Sequence, residues 1–170
     1  MRKSIIRISH EIIERNNDLE NLYLIGILTR GKPLAERIQH HIYKISNYKT
    51  QIGNVDITFH RDDYSERLLV PQLNGNTINE SVDDKTIILV DDVLFTGRTV
   101  RAAMDSVTSF GRPKVIQLAV LIDRGHRELP IKADFVGKNI PTHEGEHVEV
   151  LLDEIDKKES ICLLQKGFSS

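Results

Sequence analysis

The stretch Ile87-Ile88-Leu89-Val90-Asp91-Asp92-Val93-Leu94-Phe95-Thr96-Gly97-Arg98-Thr99 constrains the fold of this chain more than any other. Four apolar residues run into two adjacent carboxylates. A Thr-Gly-Arg-Thr loop then opens a segment, from about Arg98 to Phe110, whose Val100, Ala103, Met104 and Val107 recur at helical spacing. A buried strand that turns polar at its end and hands over to a helix belongs in a wound α/β sheet, where ligands sit beyond the carboxyl ends of the strands. The helix N-terminus offers unpaired N–H groups and a positive dipole end, to which Thr96 and Thr99 add hydroxyls and Gly97 adds close approach, so a phosphate is expected there. Asp91 and Asp92 would repel that phosphate, but they are good acceptors for the adjacent hydroxyls of a ribose. Together they describe a ribose 5-phosphate. An acidic turn followed by a capped helix is the bland alternative, and the unbroken order of strand, acid pair, loop and helix argues against it.

The rest of the chain reads in the same way. Ile5, Ile8 and Ile12 form an apolar stripe on an opening helix whose other face carries Lys3, Arg7 and His10. Leu22 to Leu28 is a nearly continuous apolar run of the kind buried on both faces of a parallel sheet, and Pro33 suits the first turn of a helix in which Leu34, Ile38, His41, Ile42 and Ile45 recur. Further strands are expected at Val55 to Phe59, Thr86 to Val90 and Val115 to Ile122, with shorter apolar runs at Val148 to Leu152 and Ile161 to Leu164. Strand, helix, strand in this order predicts a parallel sheet with flanking helices. The polar span 61–84, with Pro71, Asn74, Gly75 and Asn76, is too long for a connecting turn and is expected to be a flexible loop.

Bulk properties set the bounds. A chain of 170 residues suits one domain, and 39% hydrophobic with 28% charged residues is ordinary for a globular protein. No apolar run approaches the roughly 18 residues of a membrane helix, and Met1-Arg2-Lys3 leads into an amphipathic stretch rather than a signal region, which predicts a cytoplasmic protein without a membrane partner. The single cysteine, Cys162, is expected to be a small buried hydrophobe. A net charge of −2 does not announce nucleic-acid binding, so any RNA must be held by a local patch.

Gly26-Ile27-Leu28-Thr29-Arg30-Gly31-Lys32-Pro33 nearly fits the Walker pattern G-x-x-x-x-G-K-S/T, which makes a nucleoside-triphosphate hydrolase a competitor. Pro33 stands where the Mg²⁺-binding hydroxyl is needed, and Ile27, Leu28 and Arg30 are bulky for a backbone cradle.

Residues Asp91 to Thr99, continued by Val100-Arg101-Ala102, resemble the phosphoribosyl pyrophosphate (PRPP) signature of type I phosphoribosyltransferases, in the version found in bacterial pyrimidine-operon attenuation regulators. Asp123-Arg124-Gly125-His126-Arg127-Glu128-Leu129-Pro130-Ile131 and Ala133 to Thr142 are similar to a stretch characteristic of those regulators. The resemblance implies a single α/β domain over residues 1–170, of the type I phosphoribosyltransferase fold, with a flexible active-site loop at about 61–84 and a small hood with base and RNA elements at about 123–150. It implies a uridine-nucleotide-dependent regulator that binds a leader mRNA hairpin of the pyrimidine operon and converts uracil and PRPP to UMP and pyrophosphate. PRPP or nucleotide (UMP, UTP) would be held by Thr29, Arg30, Gly31, Asp91, Asp92, Val93, Leu94, Phe95, Thr96, Gly97, Arg98 and Thr99. Asp91, Asp92 and Arg61 would be catalytic, Arg61 from Arg61-Asp62-Asp63 at the base of the flexible loop. Mg²⁺ would be bound through PRPP, water-bridged to Asp91 and Asp92, without direct protein ligands. Val136, Gly137 and Lys138 would recognise the base. Arg7, His10, His126, Arg127, Lys132 and Lys138 would contact RNA. A homodimer or larger homo-oligomer is expected. Departures from the family pattern lie at the short N-terminus, at Ile6 where a Thr is often found, at Lys132 where Arg is usual, and in Leu68 to Asn76. A salvage enzyme for uracil or a purine without an RNA role, and a nucleotide sensor with negligible catalysis, are the alternatives.

Overall fold

The computed structural model describes residues 1–57, 77–143 and 145–165. Five parallel strands form the central sheet in the order β2-β1-β3-β4-β5: β1 is Leu22–Ile27, β2 Gln51–Val55, β3 Thr86–Leu94, β4 Val115–Asp123 and β5 Phe135–Asn139. Helices α1 (Arg2–Arg15) and α2 (Gly31–Ser46) share one core with the sheet, and α3 (Arg98–Thr108) shares the other. An antiparallel hairpin, β6 (Glu146–Leu151) and β7 (Ser160–Gln165), carries the short helix α4 (Asp153–Asp156) at its turn. Its Val150 and the following Leu152 enter the core shared by α1 and α2. Part of the 123–150 span is thus the edge strand of the main sheet, and part is the first strand of this separate hairpin.

The expected stripe of α1 is the buried one, Ile5, Ile8 and Ile12. Removing each from water contributes about 2 kcal/mol before ordering costs. Arg15 in the last turn complements the helix dipole. In α2 Pro33 lies in the first turn, where no i−4 partner is lost, and Asn47 ends the helix in the left-handed region at φ 56°. Leu34, Ile38 and Ile42 are buried, but Ile45 is exposed, because the last turn runs past the edge of the sheet core.

The expectation of a strand at Val55 to Phe59 is corrected: the strand is Gln51–Val55, and residues 56 and 57 lie outside it. Polar Gln51 and Asn54 pair with Tyr23 and Gly26 of β1 through backbone hydrogen bonds that carry no trace in side-chain hydrophobicity. β3 also runs past Val90 through both acidic residues to Leu94. Cys162 is half-buried rather than buried, with exposed Leu163 and Leu164 beside it, because β7 has only β6 as a sheet neighbour.

β1 pairs with β2 on one side and β3 on the other. The chain therefore leaves β1 in one direction along the sheet and returns to its opposite side, and the crevice beyond β1 and β3 is the topological switch point where open α/β sheets bind ligands.

Candidate active site

Two turns meet at that crevice. The first, residues 28–30, joins β1 to α2. It is too short for a Walker cradle, since Gly26 and Ile27 belong to the strand and Gly31 already opens the helix. Its geometry depends on missing side chains: a Cβ on Gly31 would lie 2.2 Å from the Val90 carbonyl oxygen, and one on Gly26 would lie 2.6 Å from the Gly31 oxygen. Thr29 is exposed, while the Arg30 guanidinium turns to Asp156 of α4, with Nη2 to Oδ1 at 2.9 Å and Nε to Oδ2 at 3.3 Å. The Asp156 carboxyl lies below its ordinary pKa, chiefly because it accepts the Leu152 N–H and then because of Arg30.

The second turn joins β3 to α3. Val90 and Val93, three residues apart, both touch the core of α1 and α2, while Leu94 joins the other core, so the period-two alternation slips at the acid pair. Asp91 is only 7% exposed, and its Oδ1 accepts the Asp92 N–H at 2.9 Å. Burial first, and the neighbouring Asp92 carboxylate second, push the Asp91 carboxyl well above its ordinary pKa. Asp92 is half-buried and its charge helps to keep Arg30 protonated. Beyond them Gly97 is the N-cap of α3 at φ 95°, a backbone shape suited to glycine. Gly97 offers no side-chain cap and no acid occupies the first turn; the Arg98 N–H donates to Thr96 Oγ1 at 3.3 Å, and the helix end presents its following N–H groups to an anion.

The turn is strapped from behind by the β4–β5 connection. Arg124 N–H donates to the Leu94 carbonyl at 3.1 Å, and the N–H groups of Glu128 and Leu129 donate to Thr96 at 3.0 and 3.1 Å. Arg127 Nη1 donates to the Phe95 carbonyl at 2.8 Å, and Arg98 Nε to Glu128 at 2.7 Å. Thr99 is half-buried in the first turn of α3.

Of the remaining sequence-derived candidates, His10, Lys132 and Lys138 are exposed, as is His126, whose Nε2 lies 2.6 Å from the Thr142 carbonyl oxygen. Arg7 is exposed as well, but it donates to the carbonyls of Val136 and Gly137 at 2.9 and 2.6 Å, which ties α1 to the expected base-recognition strand β5. Arg127 binds the carbonyls of Phe95, Gly125 and Ile131 and the carboxylate of Asp123. Arg61 lies outside the described residues. Sequence reasoning missed Asp156 and singled out no role for Arg124. No spacing signal could have found Asp156, which meets Arg30 from 126 residues away.

The phosphoribosyl transferase domain family matches residues 1–155. Among curated relatives, the bifunctional protein PyrR of Caldicellulosiruptor bescii is 56% identical over 165 residues, covering 97% of this chain and 91% of the relative. The bifunctional protein PyrR of Clostridioides difficile is 55% identical over 161 residues, covering 95% and 91%. Among solved structures, a hypoxanthine phosphoribosyltransferase of Trypanosoma cruzi superposes with a TM-score of 0.74 at 19% identity, covering 96% of this chain and 90% of that one. At that identity the likeness speaks for the fold alone.

Proposed function

The chain belongs to the phosphoribosyltransferase family and, within it, to the bifunctional PyrR proteins, and from that membership we propose that it is a uridine-nucleotide-dependent, mRNA-binding regulator of pyrimidine operon expression that also makes UMP and pyrophosphate from uracil and PRPP. The observation that carries the reading is the meeting of two anion-binding turns and an acid pair at the sheet's switch point. The helix end at 97–99 takes the 5′-phosphate, Asp91 and Asp92 take the ribose hydroxyls, and the 29–31 turn with Arg30 faces the pyrophosphate.

As the C1′–O bond to pyrophosphate breaks, the N1–C1′ bond to uracil forms and the N1 proton leaves. The protein's part is to hold both reactants in line and to compensate charge on the departing pyrophosphate. Arg30 supplies a fixed positive charge there. The half-buried Asp92 beside a buried Asp91 fits Mg²⁺ held chiefly by PRPP oxygens, since this ion keeps several waters and needs only one or two carboxylates; bound, it neutralises pyrophosphate charge. Val136, Gly137 and Lys138 in β5 meet the base, with Arg7 holding the Val136 and Gly137 carbonyls. Arg61 joins the leaving-group side as the family resemblance implies.

RNA is met by the exposed His10, His126, Lys132 and Lys138, through phosphates and unstacked loop bases. Arg7 and Arg127 set the position of the segments that carry them. The strapping of the 124–129 segment to the phosphate turn supports linkage: nucleotide that orders one orders the other, and RNA must in turn tighten nucleotide binding. The reaction and the transcript place the protein in the cytoplasm. Exposed Tyr43, Ile45 and Tyr48 at the end of α2 support assembly into a homodimer or larger homo-oligomer. That Arg7 and Arg127 spend their guanidinium groups internally favours, as the second reading, a salvage enzyme without RNA binding.

The test is UMP and pyrophosphate formation from uracil, PRPP and Mg²⁺, with hypoxanthine and guanine in parallel, beside titration of the leader hairpin with and without UMP. Uracil-dependent turnover lost in an Asp91→Ala, Asp92→Ala variant, with UMP-strengthened hairpin binding, is the expected outcome. Turnover with purines alone defeats the pyrimidine assignment, and turnover without hairpin binding selects the salvage enzyme.

A further inference from the structure

Between the phosphate turn and the β6–β7 hairpin lies an open cavity of about 480 Å³, lined by Phe95, Arg124, His126, His143, Glu146 and His147. Its back wall holds a costly arrangement. Arg124 is 7% exposed, yet its hydrogen-bond partners among the described residues include no carboxylate: Nε donates to Thr142 Oγ1 at 3.2 Å and Nη2 to the Glu146 carbonyl at 2.7 Å, with His147 Nδ1 3.5 Å from Nη1. The Glu146 carboxylate is turned instead to the His143 N–H at 2.7 Å. The guanidinium lies 3.9 Å from the centroid of the Phe95 ring. Burial lowers the Arg124 pKa and the Glu146 charge offsets only part of that, and an apolar side chain could fill such a space at lower cost, so the planar donor group itself needs a reason.

The ring supplies that reason. Phe95 is 39% exposed, although one of its faces is covered by Arg124 and His126 meets it edge to face at 6.4 Å. Its backbone carbonyl is fixed independently by Arg127, so the ring direction is set by Arg124 rather than by the turn. A flat ring braced from behind and open in front is a platform for a planar heterocycle.

We propose that Phe95 is a base-binding residue that stacks the pyrimidine in the reaction assigned above, and that Arg124 is its positioning residue. The inference rests on that assignment, and it adds a stacking wall to the base contacts proposed for Val136–Lys138 of β5.

Steady-state kinetics on the full chain, with uracil and PRPP varied independently, test it together with UMP and CMP binding by calorimetry. Phe95→Leu is expected to raise the KM for uracil about tenfold while that for PRPP moves less than about twofold, and Phe95→Tyr is expected to restore it. Arg124→Lys keeps the charge but loses the planar brace, so it is expected to raise the uracil KM several-fold. A thermal midpoint on each variant separates these effects from loss of the fold. A shift in the PRPP KM instead of the uracil KM overturns the proposal, as does lost stability with an unchanged uracil KM, or weaker hairpin binding with unchanged uracil kinetics. If the unmodified protein does not turn over uracil, the assigned reaction fails; weaker binding of both UMP and CMP by Phe95→Leu, restored by Phe95→Tyr, then supports the stacking wall by itself, and unchanged binding of both overturns it.

Discussion

The turn after β1 and the turn after β3 sit side by side at the ends of neighbouring parallel strands, and both combine threonine, arginine and glycine. They are held by opposite means. The first is packed from within, where Gly26 and Gly31 let the backbones of β1, α2 and β3 approach more closely than any Cβ permits. The second is held from outside, by donors of the 124–129 segment on the carbonyls of Leu94, Phe95 and Thr96. A site packed from within is intolerant of added volume, whereas a site hung on hydrogen bonds tolerates volume and responds to whatever moves the strap. Under the proposed function the regulatory surface lies beside the turn after β3 rather than beside the turn after β1.

The largest effect that could break this comparison comes from adding one methyl to each turn. Gly31→Ala is expected to cost about 3 kcal/mol or more, or to abolish folding, because the Cβ meets a backbone oxygen that cannot step aside. Gly97→Ala is expected to cost only about 1 kcal/mol, since the nearest atoms are the side chains of Ile131 and Leu129 at 3.3 to 3.4 Å and the penalty is mainly conformational. Urea unfolding of the two variants that ranks them the other way would break the distinction.

Next in size is the pH response of Asp91. Unfolded, this carboxyl ionises near its ordinary value of 3.8, while the folded chain holds the proton to higher pH. The unfolded state therefore binds fewer protons across that window, and stability falls as pH rises from about 4 through the raised pKa. Asp91→Asn removes this loss. Its unfolding free energy is expected to gain on that of the wild type as pH rises through the window, and parallel curves would show that Asp91 ionises normally.

A smaller effect is expected at Arg30. Asp156→Asn releases the Arg30 fork, which is expected to raise the KM for PRPP a few-fold, because the freed guanidinium must be ordered again when pyrophosphate binds. An unchanged PRPP KM would separate the first turn from α4. Smallest of all is Glu128→Gln, which breaks an exposed pair with Arg98. At low salt it is expected to change stability by less than about 0.5 kcal/mol, and at about 0.5 M salt by nothing measurable. A larger loss would mean that this ion pair, rather than the backbone bonds, holds the strap.

Much of the architecture was readable from residue order. The buried stripe of α1, the continuous burial of β1 and the passage from Val90 through the acid pair to α3 each follow from local periodicity and composition. β2 was not readable in its place, because its polar residues earn their position through backbone pairing with β1. Cys162 was misjudged for a related reason. Its neighbours are apolar, but the hairpin that carries them has solvent where a sheet strand would have a partner.

The sequence by itself determined the chemistry available at the switch point: carboxylates at the end of a strand, then glycine, hydroxyls and a helix start, all within one local segment. Only the tertiary structure decided which cations are committed elsewhere. Arg7 meets β5 across 129 and 130 residues, Arg30 meets Asp156 across 126, and Arg127 reaches back 32 residues to the Phe95 carbonyl. An arginine's charge is written in its codon, but its partner is chosen by chain segments that approach only when the sheet is assembled, and spacing along the chain holds no record of that approach.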